Sequence, residues 1–341
     1  MTEACPLEIF CRGATRDETI LIACIYIASV IVNGFYYEKA PCWRDLPLRA
    51  TDRAPALLSL RFCGEMLAAG AAQGMNEAAK SMRYLGVLSG VSYVSGIDYF
   101  KTINQRVGSL IRREECERMP KNARLAMACV DCDTYVDLLE KGDTAGCSRY
   151  LMEDGVDRLV AAGAEVLVIA SNTAHLVCDE VAVKHPQLQV LHIADTTAAA
   201  IKAAGFTRVG LLGTKPTMED GSWLKARLAA HGIEVVVPEG EAELRRCYDI
   251  ICQELSLDLF TEESRAFMVG LARALVAERG AQGVVLGCTE IELLVSAADA
   301  PDVVLFASAA LHMEAAAKVQ VGLLGAAELA PPAGRDTTGV L

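Results

Sequence analysis

Two segments of this chain repeat each other, and the repeat limits the folds open to it. Gly163-Ala164-Glu165 leads through an apolar run to Ser171 and Thr173, and Gly280-Ala281-Gln282 leads through another to Cys288 and Thr289. The step from the glycine to the Ser or Cys is eight residues in both. A second pair lies upstream of each. Tyr84-Leu85-Gly86-Val87-Leu88 matches Arg208-Val209-Gly210-Leu211-Leu212. Self-similarity of this kind marks duplicated supersecondary units, here starting near residues 83 and 207. Each unit ends an inner strand on a small polar or thiol side chain and then begins a helix.

The segments around the repeats alternate between two periods. Short apolar runs at Tyr84–Leu88, Leu125–Val130, Glu165–Ala170, Val190–Ile193, Val209–Leu212, Val235–Val237, Val284–Leu286 and Val303–Phe306 predict buried strands. Amphipathic stretches between them, such as Gly96–Leu110 and Glu263–Arg279, predict helices. Strands alternating with helices imply an α/β fold with parallel sheets covered on both faces. Ligands of such sheets bind beyond the carboxyl ends of the strands, where helix N-termini offer unpaired N–H groups and partial positive charge. Two units facing each other would set Ser171 and Cys288 on opposite walls of one cleft. A helix N-terminus also lowers a thiol's pKa, which predicts Cys288 as a base.

The chain has 341 residues, of which 52% are hydrophobic and 22% charged. That length suits two domains of ordinary size with an appendage. The net charge of −12 argues against nucleic acid and anionic membranes as partners, since both repel such a surface. The 13 cysteines lack the regular spacing of a secreted disulfide scaffold and read as reduced thiols. Cys129 and Cys132 form a lone CxxC, a weak zinc or redox signal without a second pair. Ile20–Val32 is an apolar run of thirteen residues, short of the roughly 20 a spanning helix needs. Asp17 and Glu18 precede it, which argues against a signal peptide. A cytoplasmic protein is expected, with organelle targeting left open. Residues 1–81 carry no readable motif, and an alanine-rich helical stretch over Pro55–Lys80 closes them. The tail after Leu329 reads as disordered.

These residues carry a family resemblance. Ser171-Asn172-Thr173-Ala174-His175 resembles the first signature of aspartate/glutamate racemases, CNTAH, and Gly287-Cys288-Thr289-Glu290-Ile291 resembles the second, GCTEI. Ser89-Gly90-Val91-Ser92 with Asp98-Tyr99-Phe100 is similar to the family's opening turn and helix. His192-Ile193-Ala194-Asp195 and Leu212-Gly213-Thr214…Thr217-Met218 resemble linking segments of a bacterial broad-specificity branch. The match runs over about residues 82–325. It implies two pseudo-symmetric, doubly wound parallel-sheet domains with the active site between them. The first would comprise 82–197 plus about 302–329 and the second 198–301, after an N-terminal extension (1–81) and before a disordered tail (330–341). It implies no pyridoxal phosphate, no metal and no other cofactor, with two residues flanking the substrate's α-carbon and exchanging its proton. It also implies a homodimer or higher homo-oligomer acting on a small amino-acid-like carboxylate.

Carried onto this chain, the resemblance makes Cys288 and Ser171 the catalytic candidates. Asn172, Thr173, Thr289, Ser89, Gly90 and Lys225 become substrate-binding candidates, and His175 and Glu290 supporting ones, joined by Asp131 for its place just past a strand end. Three departures stand out. Ser171 replaces the usual cysteine, and an alcohol is a poor base on its own. Val94 and Gly96 stand where the family carries Glu and Thr. No arginine matches the one that binds a distal carboxylate in aspartate-specific members, and Lys225 aligns only loosely. Plainer roles are open too: Ser171, Asn172, Thr173 and Thr289 suit helix caps, His175 suits a structural hydrogen bond, and Glu290 serves either a helix terminus or the orientation of Cys288. Racemisation is the leading expectation. A one-base lyase of the same superfamily, such as an algal dimethylsulfoniopropionate lyase releasing dimethyl sulfide and acrylate, is the alternative. A binding module without catalysis is the third.

Overall fold

In the computed structural model the described residues are 82–111, 119 and 121–331. The expectations for residues 1–81 and for the tail lie outside them. Eight parallel strands form two four-stranded sheets. The first runs β2-β1-β3-β4, with β1 at Leu85–Ser89, β2 at Leu125–Cys129, β3 at Val166–Ile169 and β4 at Gln189–Leu191. The second runs β6-β5-β7-β8, with β5 at Arg208–Leu212, β6 at Glu234–Val236, β7 at Val284–Leu286 and β8 at Leu305–Ala307. The order is the same in both, as the repeat predicts. In each sheet it reverses between the two central strands, β1/β3 and β5/β7, which is where open parallel sheets bind ligands.

Every residue of β1, β3 and β7 is buried, as expected for central strands covered on both faces. Helix α1 (Tyr93–Leu110) buries Tyr99, Ile103 and Val107 against one face of the first sheet, together with Met313 and Ala316. The opposite face packs Leu88, Leu167 and Ile169 against Leu151, Val156 and Leu159. The second sheet has its own core around Val209, Leu211, Met268, Leu275 and Val285. Each such side chain removed from water contributes about 1.5–3 kcal/mol.

The repeat has a physical explanation in these packings. Gly86 is the second residue of β1 and Gly210 the third of β5, and each lies under a helix. A Cβ on Gly86 would come 2.7 Å from Ala164 Cβ, and one on Gly210 would come 3.0 Å from Leu275 Cβ. Glu165 and Gln282, matched in the two units, perform the same backbone service. Glu165 Oε2 accepts the Tyr84 N–H at 2.6 Å, and Gln282 Oε1 accepts those of Thr207 and Arg208 at 2.8 and 3.0 Å.

Several boundaries differ from the sequence reading. Helix α1 begins at Tyr93 rather than Gly96, because Ser92 takes an extended conformation and ends the turn after β1. Strand β4 stops at Leu191, because His192 caps α2 (Ile193–Ala203) by accepting the Ala194 N–H. Val303 lies in a turn closed by its N–H on the Ala300 carbonyl, so β8 starts two residues late. Strand β8 pairs with β7. The second sheet thus extends to Ala307, and the chain rejoins the first lobe with α3 (Ser308–Gln320) rather than near 302. Among the described residues no helix is long and apolar enough to cross a membrane.

Close packing over Gly86 predicts a strong response to bulk. Gly86→Val should lower stability in a urea titration by about 2–3 kcal/mol, in the upper range of overpacking effects. A loss below about 0.5 kcal/mol would contradict the packing described.

Candidate active site

The loops after β1, β3, β5 and β7 meet through side chains. After β1, Gly90 has φ +99°, and a Cβ there would run into the Val130 backbone. The turn is therefore tight, and Ser89 and Ser92 are both buried within it. Gly96 leaves space for the Ser89 hydroxyl, which a Cβ at 96 would strike. That gives one departure from the family pattern a local steric cause.

After β3, Ser171 Oγ accepts the Ala174 N–H at 3.3 Å, a capping contact. Asn172 Nδ2 donates to Ser308 Oγ at 3.1 Å, and that hydroxyl donates to the Leu286 carbonyl at 2.7 Å. Asn172 Oδ1 is buried and has no partner among the described residues. Thr173 Oγ1 lies 3.2 Å from Thr214 Oγ1 and 3.4 Å from Thr217 Oγ1, and those two are 2.9 Å apart. Thr214 and Thr217 follow β5, so this trio joins the lobes.

After β7, three donors converge on one carboxylate. Cys288 Sγ donates to Glu290 Oε2 at 3.0 Å, Thr289 Oγ1 donates to the same oxygen at 2.8 Å, and Ser92 Oγ donates to Oε1 at 2.5 Å. All four residues are buried. The thiol expectation is reversed here. Burial first, then the adjacent Glu290 charge and the hydrogen bond to it, push the Cys288 thiol well above its ordinary range. The helix that follows, Ile291–Leu294, has only four residues. Its N-terminus does not outweigh a carboxylate in contact with the sulfur. Cys288 in this state is a protonated donor.

The remaining candidates are engaged elsewhere. His175 donates through Nδ1 to the Ser171 carbonyl at 2.7 Å and accepts the Ile193 N–H through Nε2 at 3.2 Å. It stacks on Trp223, and burial drives its pKa down to about 3. A neutral ring with both nitrogens occupied fixes the backbone of Ser171. Asp131 is exposed and caps the helix Cys132–Glu140, accepting from Thr134 N and Oγ1 at 2.8 and 2.7 Å. Those bonds lower its pKa. Lys225 Nζ bonds Asp220 Oδ1 at 2.6 Å and the Met218 carbonyl at 3.4 Å. Arg227 is spent on a bidentate pair with buried Asp195, at 2.9 and 2.8 Å.

The sequence reading missed several participants. Ser92, Thr214 and Thr217 appeared only inside quoted motifs. The repeat held the signal for Thr214, since β1 and β5 are equivalent and both should end at the site. Nothing in the sequence separates Ser92 from an ordinary helix cap. Glu292 was also missed. It accepts the Ala309 N–H at 3.0 Å, and burial lifts its pKa to about 8.

Residues 88–316, more than half of the chain, match the family profile described as Asp/Glu/Hydantoin racemase. A Yersinia pestis crystal structure assigned as an Asp/Glu racemase is 38% identical, with TM-score 0.61, covering 70% of this chain and 99% of that one. An aspartate racemase homologue from Pyrococcus horikoshii is 29% identical, with TM-score 0.57 and coverage of 70% and 99%. A glutamate racemase from a Parafrankia species is 30% identical over 184 residues, 50% of this chain and 62% of the relative. One from Exiguobacterium sibiricum is 35% identical over 112 residues, 30% and 41%. The chain thus spans less than two thirds of these curated relatives.

The buried histidines make stability sensitive to acid. His175 is held near 3 and His312 near 4, and His192 well below its ordinary value, all chiefly by burial. An unfolded histidine titrates near 6.5. Above that pH both states are neutral. Below it the unfolded chain gains protons that the folded chain refuses, so stability falls as pH drops from about 6.5 toward 4. Melting temperature should fall steeply between pH 7 and pH 5. A flat profile across that window would contradict the buried, neutral assignment.

Proposed function

The chain belongs to the Asp/Glu/hydantoin racemase family, and from that premise we propose that it is an amino-acid racemase in which Cys288 and Ser171 handle the α-proton from opposite faces. The observation that carries this reading is the Cys288–Glu290 pair. The thiol donates to the buried Glu290 carboxylate at 3.0 Å, and loss of that proton gives a thiolate on the wall of the site. The thiolate then removes the α-hydrogen as general base. Ser171 returns a proton to the other face and regains one from solvent, while the proton taken by Cys288 leaves to solvent and restores the thiolate. Asn172 Oδ1, buried and unpaired among the described residues, is an acceptor suited to the substrate ammonium. Thr173 offers a hydroxyl to its carboxylate.

The hydroxyl at Ser171 makes kcat unequal in the two directions, while equal free energies of the enantiomers keep kcat/KM the same. An alcohol ionises far less readily than a thiol, so the enantiomer presenting its hydrogen to Cys288 reacts by the easier first step. The same inequality supports the second reading. With one competent base, removal of a proton next to a carboxylate-activated carbon and expulsion of a leaving group completes a lyase reaction, and dimethylsulfoniopropionate is the substrate to try.

Incubation of single enantiomers in deuterated water, followed by NMR and chiral chromatography, tests both. Exchange with inversion is expected, faster from one enantiomer than from the other. Cys288→Ala should remove more than about 99% of it, and Ser171→Cys should raise it and even out the two directions. Retention of more than a few percent of activity in Cys288→Ala rejects the base. Release of dimethyl sulfide and acrylate without exchange at an amino acid selects the lyase.

A further inference from the structure

We propose that Ser92 is a positioning residue, a first-lobe hydroxyl that holds the Glu290 carboxylate against the Cys288 thiol across the boundary between lobes. The proposal rests on the reading above for its relevance to catalysis, though the hydrogen bond can be tested without any substrate.

Ser92 occupies the cap position of α1, with φ −133° and ψ 167°, yet its side chain makes no capping bond to that helix. A serine that caps its helix contributes typically about 1 kcal/mol. Here the hydroxyl turns away and donates to Glu290 Oε1 at 2.5 Å, reaching from the first lobe to the second. Ser92 is 3% exposed and Glu290 4%. In so dry a setting a hydrogen bond to a carboxylate is strong, and water does not compete for it.

The turn that carries Ser92 is itself pinned. Ser95 Oγ lies 3.3 Å from the Ser92 carbonyl and 3.0 Å from the Ala170 carbonyl at the end of β3. Ser92 cannot drift from Glu290 without disturbing the strand end that leads into Ser171. On the other side, Glu290 Oε2 is taken by Cys288 and Thr289. One oxygen faces the thiol and the other faces Ser92, so Ser92 sets the rotation of the carboxylate that presents Oε2 to sulfur.

Other ionisable groups act on this pair. Cys247 acts on Cys288, and Asp98, Tyr99, Cys132, Cys252 and Glu292 interact with the Glu290 charge or its neighbours. None of them is a cation. Hydrogen-bond donors such as Ser92 disperse the Glu290 charge that faces the sulfur. A hydrogen bond to the charged form favours that form. Without it the Glu290 charge bears undispersed on the sulfur it already pushes up, and the Cys288 thiol should lose its proton at higher pH.

The test is the pH dependence of iodoacetamide alkylation at Cys288, read on the Cys288 peptide by mass spectrometry, using the full chain. Ser92→Ala should raise the midpoint by about one pH unit, about tenfold less thiolate at a fixed pH. Ser92→Thr, which keeps the hydroxyl, should stay near the original protein. Glu290→Gln should lower the midpoint by removing the adjacent charge. In the E290Q background, S92A should then add no further shift. An unmoved midpoint in folded Ser92→Ala overturns the proposal, as does an undiminished shift in the E290Q background. Circular dichroism melting checks the fold. If Ser92→Ala does not fold, Ser92→Cys, a weaker donor of similar size, should show a smaller rise, and no rise overturns the proposal. Should the deuterium-exchange assay find no racemisation while Ser92→Ala still moves Cys288, the functional reading fails and the positioning role stands.

Discussion

The carboxylate of Glu290 ties this protein together at the point where chemistry is expected. It takes hydrogen bonds from Ser92 of one lobe and from Cys288 and Thr289 of the other. Buried polar networks of this kind are costly when any member is left unpaired, so the lobes are held in the arrangement that satisfies all four groups. The threonine trio and the Ser308–Leu286 contact reinforce the same boundary. A thiol ordinarily ionises near pH 8.5. Next to this carboxylate it is held as a proton donor, and its basicity is kept in reserve until that proton leaves.

The duplication explains why two lobes of the same order exist at all. Matched glycines let a helix lie close on each central strand, and matched Glu165 and Gln282 side chains take the N–H groups that open those strands. With strand order and packing repeated, the carboxyl ends of β1, β3, β5 and β7 become equivalent positions. Evolutionary divergence between the halves is then concentrated at those ends. One half carries Ser171 and the other Cys288 with Glu290.

Much of this was legible in the residues alone. Apolar runs ending in Ser or Cys located the strands to within one to three residues, because fully buried strands leave little room for polar side chains. The repeat located the two walls. Electrostatics was not legible in the same way. A helix start after Cys288 suggests a lowered thiol pKa, but the effect depends on helix length and on what lies against the sulfur, and both oppose it here. Ser92 was hidden because a serine before a helix is ordinarily its cap, and only the direction of its hydroxyl reveals otherwise. His175 was drawn in by its spacing from Ser171, Asp131 by its place just past a strand end, and Lys225 by the family resemblance. The structure commits each to a local partner, namely a backbone carbonyl, a helix terminus and an aspartate.

The protonation state of Cys288 at rest decides whether this account is right. Labelling cysteine with carbon-13 at Cβ, and assigning Cys288 by difference from Cys288→Ala, gives its ionisation directly as a chemical-shift titration. The account predicts a thiol at pH 7 that titrates above about 8.5, the range of a free cysteine. A Cys288 already ionised at pH 7 would contradict it, because a thiolate cannot be the donor that Glu290 accepts from.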